Sequence, residues 1–220
     1  MSGERVRLRA LVRQREVFDT PLRLHLGMLE GLCGRHWPEL LAEMDVWRRR
    51  TPLELLAAYG SPAELAAHES EARELMRRTG RNAVKPEQIK RVVDSALGSS
   101  RQRSVGLPAS HEEREVVRMI AREALRLRSL MQSVDEEIRK VGETHEDTRR
   151  IAAVVGRVTA VVLVAYLGPL SEYASAAALE KACGLNLKIK SSGNVSGRPS
   201  ITKRGAPEPV VISISLRCGS

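Results

Sequence analysis

VVRMIAREALRLRSLMQSVDEEIRKV, residues 116–141, carries the most regular pattern in the chain. Its apolar members Val116, Ile120, Ala124, Leu127, Met131, Val134, Ile138 and Val141 recur at intervals of 4, 4, 3, 4, 3, 4 and 3. That is close to a heptad seam over about four heptads, so the spacing predicts a long helix packed against another. Glu112, Glu113 and Glu115 near its start suit the positive end of the helix dipole. The partner of this seam is either an antiparallel helix of the same chain or a second subunit, and spacing alone does not choose.

Upstream, the pattern is also helical. Arg5 to Phe18 forms one amphipathic stretch, Pro21 is expected to interrupt it, and Leu22 to Leu32 resumes it before Gly31 and Gly34. His36-Trp37-Pro38 opens a helix from Glu39 to Trp47, with Trp37 packing it onto a neighbour. Thr51-Pro52-Leu53-Glu54 and Ser61-Pro62-Ala63-Glu64 each set a hydroxyl cap, a proline at the first position and a glutamate three residues on. The first predicts a short helix ending at Gly60, the second a helix running to Gly80. Lys85-Pro86-Glu87 starts another, with Ile89, Val92, Val93 and Leu97 as its buried stripe. The segments are therefore a helical bundle over 1–100, a linker over 101–110 rich in serine, glycine and arginine, and a heptad helix over 111–144.

Downstream of the heptads the character changes. IAAVVGRVTAVVLVAYLG, residues 151–168, reads as two short buried helices with a tight turn at Gly156. Ser171 or Ser175 caps a following helix, Ala176 to Cys183, and Val210 to Leu216 alternates as a short strand would. Between them lies KIKSSGNVSGRPSITKRG, residues 188–205, which has three glycines, paired serines and five cations but no acid. Glycine lets backbone approach a ligand closely, and Lys or Arg supplies counter-charge to phosphate. Serine can donate a hydrogen bond to phosphate or attack it. The stretch reads as a phosphate-facing loop or as a solvated basic loop.

Composition narrows the partner. The 220 residues carry 36 basic and 27 acidic side chains, a net charge of +9 and a pI near 10, which favours an acidic partner such as nucleic acid or an anionic membrane surface. Aromatics make up only 3%, too few for base stacking, so contact with nucleic acid would run through phosphates. Three scattered cysteines form no CxxC pair and suggest neither zinc nor disulfides, in keeping with a cytoplasmic setting. The longest apolar run, Val158 to Leu167, is about half the roughly 20 residues that span a bilayer, so no membrane association is expected.

Catalytic furniture is sparse. The five histidines stand singly, and Walker and Rossmann signatures are absent. Acids such as Asp135-Glu136-Glu137 and Glu146-Asp147 read as solvated helix faces, so no metal site and no cofactor is expected in this chain. Any chemistry belongs to Ser191 or Ser192.

Leu167-Gly168, Leu170, Tyr173, Leu179, Cys183-Gly184-Leu185, Ser192-Gly193, Gly197 and Ile201-Thr202-Lys203-Arg204-Gly205 together resemble one insertion-sequence transposase family, the "one-ten" elements. These are bridge-RNA-guided recombinases with an N-terminal RuvC-like DEDD domain, and the resemblance covers roughly residues 145–205. It implies DNA transposition and recombination in which a serine of the C-terminal domain attacks a DNA phosphodiester and becomes linked to it. RuvC-like acids would bind Mg2+ at the same composite site.

By motif the nucleophile corresponds to Ser192. Lys188, Lys190, Ser191, Arg198, Lys203 and Arg204 would hold nucleic-acid phosphates. The family's acidic strands have no counterpart here, and Ala153-Val154-Val155-Gly156 stands where a Pro-Gly-x-Gly turn is usual. Residues 207–220 form an atypical tail where a basic helix normally follows.

The expectation is a mainly α chain with a small helical C-terminal transposase domain over 145–206 and a basic Gly/Ser loop. It is a transposase fragment lacking the metal half, or alternatively a non-catalytic helical nucleic-acid-binding or dimerisation module. DNA is the expected partner, with a guide RNA and a homo-oligomer through the heptad helix as further partners.

Overall fold

The computed structural model describes residues 3–100, 105–175, 178, 181–182, 187–188, 191–192, 195–196 and 200–201. The protein is mainly α. Helices α1 (Gly3–His36), α2 (Pro38–Glu43), α3 (Thr51–Tyr59), α4 (Pro62–Ala67), α5 (Glu69–Gly80), α6 (Pro86–Ser100), α7 (His111–Glu143), α8 (Glu146–Val155) and α9 (Arg157–Leu167) follow in order. Four two-residue strands come after them: β1 (Leu187–Lys188), β2 (Ser191–Ser192), β3 (Val195–Ser196) and β4 (Ser200–Ile201). Two compact units result, Val17–Met131 and a second made of Met1–Glu16 with Gln132–Ser220. The divisions fall inside α1 and α7, away from the serine-rich break at 101–110.

The heptad seam of α7 has its partner within the chain. In the unit Val17–Met131, Ile120, Ala124, Leu127 and Met131 belong to one apolar core with Leu22, Leu26, Leu29 and Cys33 of α1. Arg35 of α1 bonds Glu113 of α7 at 2.7 Å, and His25 borders the same cleft as Glu123, so the two helices run antiparallel here. The seam starts one residue later than its spacing suggests, because Val117 is buried while Val116 is 39% exposed. Ser110 and Glu113 form a reciprocal capping box at the start of α7. The Glu113 amide donates to Ser110 Oγ at 3.2 Å, and the Ser110 amide donates to Glu113 Oε2 at 2.9 Å. That amide bond is the main reason the Glu113 carboxyl lies below the usual carboxylate range.

Pro21 does not interrupt α1. It removes one amide that would bond the carbonyl four residues back, at a cost of about 3 kcal/mol in a helix interior. Burial of Leu22, Leu26, Leu29 and Cys33 along one face outweighs that loss. Around this spine pack α2–α6. Trp37 is 1% exposed and donates from Nε1 to Ser95 Oγ at 3.0 Å, so it ties the start of α2 to α6. The helix expected from Glu39 to Trp47 is shorter, ending at Glu43. The 45–48 turn that follows is fixed partly by Arg128, which donates to the Arg49, Val46 and Trp47 carbonyls at 2.7, 2.9 and 2.5 Å.

The two expected caps diverge. Ser61 accepts from the Glu64 amide, whereas Thr51 is itself the first residue of α3, buried, with its hydroxyl accepting from Thr79 Oγ1 at 3.3 Å. Gly60 ends α3 in the left-handed region at φ 69°. The single helix expected from Ser61 to Gly80 is broken at His68 into α4 and α5.

Replacing Pro21 by alanine restores a backbone hydrogen bond and should raise the unfolding free energy by about 1–2 kcal/mol, after the looser unfolded chain is counted. Leu29→Ala, at a position of zero exposure, should lower it by about 2–5 kcal/mol. Urea titration followed by circular dichroism reads both. A stability loss in Pro21→Ala would show that the proline bend itself is needed for packing.

Candidate nucleic-acid interface

In the unit Met1–Glu16 with Gln132–Ser220, the first turns of α1 pack with the end of α7 and with α9. Arg15 bonds Asp135 at 2.6 Å and Arg7 lies 3.5 Å from Glu137, so the first turns of α1 run antiparallel to the end of α7. α8 and α9 join at Gly156, whose φ of 84° is one that L side chains rarely adopt. α9 reads RVTAVVLVAYL, rich in β-branched residues of mediocre helix propensity. It is helical because Ala160, Val161, Val162, Val164, Ala165 and Leu167 are all buried. α7 approaches it closely at Gly142, where an added Cβ would overlap Val161 Cγ2.

The end of α9 is closed by side chains distant in sequence. A helix leaves its last carbonyls without intrahelical partners, and cations are favourable there. Arg9 donates to the Ala165 and Tyr166 carbonyls at 2.7 and 3.2 Å, and Arg5 reaches the same two oxygens at 3.3 Å each. Gly168 follows at φ 91°, and a Cβ there would come within 2.9 Å of the Arg5 guanidinium. The Leu170 amide donates to Asp147 Oδ2 at 3.1 Å, and the Tyr173 hydroxyl donates to the Leu167 carbonyl at 2.6 Å. Leu167, Gly168, Leu170 and Tyr173, quoted above as motif residues, thus build the exit from α9. Asp147 and Asp135, read from sequence as solvated, have structural partners instead.

Ser175 accepts from the Ala178 amide at 3.2 Å, as the cap of a helix would, so it takes the capping role left open between it and Ser171. Beyond it the basic stretch contains paired strands, which the loop reading missed. β1 pairs antiparallel with β4, Leu187 opposite Ile201 and Lys188 opposite Ser200. β2 pairs antiparallel with β3, Ser191 opposite Ser196 and Ser192 opposite Val195. Two residues separate β1 from β2 and three separate β3 from β4, so the two pairings differ in register by one residue. Gly193-Asn194, the two residues between Ser192 and Val195, is a dipeptide that favours tight hairpins and was the signal available in the sequence.

Of the predicted site residues, Lys188 lies in β1, and Ser191 and Ser192 lie in β2. Lys190, Arg198, Lys203 and Arg204 lie outside the described residues, as do Leu179, Cys183 to Leu185 and the strand expected over 210–216.

A cleft of about 420 Å3 opens where the end of α7 meets α8 and α9, lined by Arg139, Arg149, Arg157, Glu143 and Thr148 among others. Arg157 lies 3.4 Å from Glu143, which leaves a cationic excess at its mouth. Sequence reasoning missed it because these arginines come from three helices. Among the described residues no group of three or more His, Cys, Asp or Glu converges as a metal site. The described side chains therefore do not fit the Mg2+ that the resemblance implies.

Residues 152–209 match the Transposase IS116/IS110/IS902 family. The segment from the end of α8 through all four strands is similar to that transposase family, which points to transposition, DNA recombination and an insertion sequence, with DNA as the implied partner. No curated protein matches the chain. Among the described residues, no helix is long and apolar enough to cross a membrane.

Gly142→Ala should destabilise the protein by about 1–3 kcal/mol through overpacking. In a Val161→Ala background the same change should cost far less, because the obstructing methyl is gone, giving a coupling energy above about 1 kcal/mol. A double-mutant cycle in urea measures it, and additive effects would contradict the contact.

Proposed function

We propose that this chain carries the strand-transfer serine of a DNA transposase, with Ser192 as nucleophile. The observation that supports this most is the family match over 152–209, which contains β2 and the Ser192-Gly193 pair. In the proposed step Ser192 Oγ loses its proton and forms a bond to phosphorus. The phosphorus–oxygen bond to one sugar breaks, and that oxygen leaves as a hydroxyl after taking a proton. Lys188, Lys190, Ser191, Arg198, Lys203 and Arg204 would hold the flanking phosphates and offset the developing charge. No step here runs through a metal, since the described residues do not form a site for one.

Guide RNA is a further proposed partner, and the proposed location is the cytoplasm. A second copy of the chain, if it docks on α7, would use the side bearing Val116 and Met119, 39% and 62% exposed, since α1 occupies the seam. The second reading, a non-catalytic helical nucleic-acid-binding module, is favoured by the lack of a convergent acidic cluster among the described residues.

Labelled duplex DNA carrying the gene's flanking sequences, incubated with the protein, guide RNA, Mg2+ and a separately supplied RuvC-like domain, decides between them. A denaturation-resistant adduct should form, disappear in Ser192→Ala and persist in Ser191→Ala. An adduct that survives Ser192→Ala overturns the assignment, and no adduct under any of these conditions favours the non-catalytic reading.

A further inference from the structure

Far along the chain from the transposase match, in the unit Val17–Met131, the end of α5 borders a cleft of about 480 Å3. Its polar lining is Arg73, Arg77, Arg81, Asn82 and Lys85, and no acid lines it. The four cations recur every fourth residue. Arg73 and Arg77 therefore share a face of α5, about 6 Å apart along its axis. Arg81 and Lys85 continue past the end of the helix, one in the 3-10 turn Arg81–Ala83 and one beyond it.

Local needs explain only half of this set. Arg73 is held by Glu69 at 2.8 Å, and Arg77 sits in the last turn of α5, where a cation suits the dipole. Arg77 lies 3.5 Å from Glu74 with both side chains over 60% exposed, a pairing that constrains little. Arg81 and Lys85 have no acidic partner among the described residues.

Arg81 adopts φ 45° and ψ −126°, and it is the non-glycine residue with positive φ among those described. Glycine takes that conformation freely and arginine does not, so the position keeps a guanidinium against a backbone preference. The turn is pinned: Arg49 donates to the Ala83 carbonyl at 3.1 Å, and Val84 is buried where any Cβ on Gly80 would collide with it. Strained backbone that its surroundings hold in place is a feature of ligand clamps.

We infer that this cleft is a second nucleic-acid site, which grips the phosphodiester backbone of DNA through Arg77, Arg81 and Lys85. The cleft stands on its own geometry; the choice of DNA among polyanions rests on the transposase reading. Its failure is separable from that reading, because it predicts non-covalent binding that is indifferent to Ser192.

The test is fluorescence anisotropy of the full chain with a labelled random-sequence duplex across a potassium chloride series. Each lost phosphate contact removes about 0.9 from the slope of log K against log salt, so Arg77→Gln/Arg81→Gln/Lys85→Gln should flatten it by about 2–3. The charge-matched control Arg48→Gln/Arg126→Gln/Lys140→Gln, at exposed cations that already face acids, should leave the slope unchanged. An unchanged slope in the first variant, or an equal change in the control, overturns the site. A structured RNA hairpin whose slope flattens while that of DNA does not overturns the choice of DNA. Arg81→Gly separates a binding role from a structural one: melting temperature should rise while the slope falls by about 0.9. A lower melting temperature with an unchanged slope would make Arg81 a structural residue and overturn its role in the grip.

Discussion

The carbonyls at the end of α9 need partners that the helix itself lacks, and Arg5 and Arg9 provide them. The turn out of α9 is built around that closure. α9 is too short and too β-branched to persist alone, and its apolar surface needs a socket. The first turns of α1 supply both the guanidinium caps and, with the end of α7, the ion pairs Arg15–Asp135 and Arg7–Glu137. Gly168 is constrained chiefly by its φ of 91°, which L side chains rarely adopt, and a Cβ there would also push the Arg5 guanidinium aside. Residues more than 150 positions apart thus define one local structure.

That closure changes what the family motif means physically. Leu167, Gly168, Leu170 and Tyr173 are engaged in structure within the chain. They turn the chain after α9, through a buried leucine, a left-handed glycine, an amide bonded to Asp147 and a phenol bonded to the Leu167 carbonyl. Ser192 lies further along the chain, on a strand paired with Val195 and Ser196. The motif therefore divides into residues that orient the region and residues proposed to act on DNA.

Much of this was legible in the sequence, for reasons that differ from element to element. The α7 seam was visible because heptad spacing is local, yet the identity of its partner was not, since an antiparallel partner nearly a hundred residues away leaves no mark in spacing. Gly156 and Gly60 announced helix ends because both need φ that other residues avoid. Pro21 misled because tertiary burial in α1 outweighs a strong local preference. Thr51 misled because its proline and glutamate fit a cap, while Thr79 draws its hydroxyl into the interior instead. The basic stretch read as a loop because glycine and serine are common in turns, although Gly193-Asn194 flanked by short strands is also a hairpin signal. The Arg5 and Arg9 caps, and the cleft of Arg139, Arg149 and Arg157, had no sequence signal, being assembled from separate helices, whereas the cations of the α5 cleft do recur every fourth residue.

Residue-resolved hydrogen exchange on the Arg5→Met/Arg9→Met variant tests the dependence of the C-terminal region on these caps most directly. Charge-assisted hydrogen bonds contribute about 1.5–3 kcal/mol, so amides of α9 should exchange at least about tenfold faster, while those of α3–α6 keep their wild-type rates. Unchanged protection across 157–167, or an equal loss throughout α3–α6, would contradict the account.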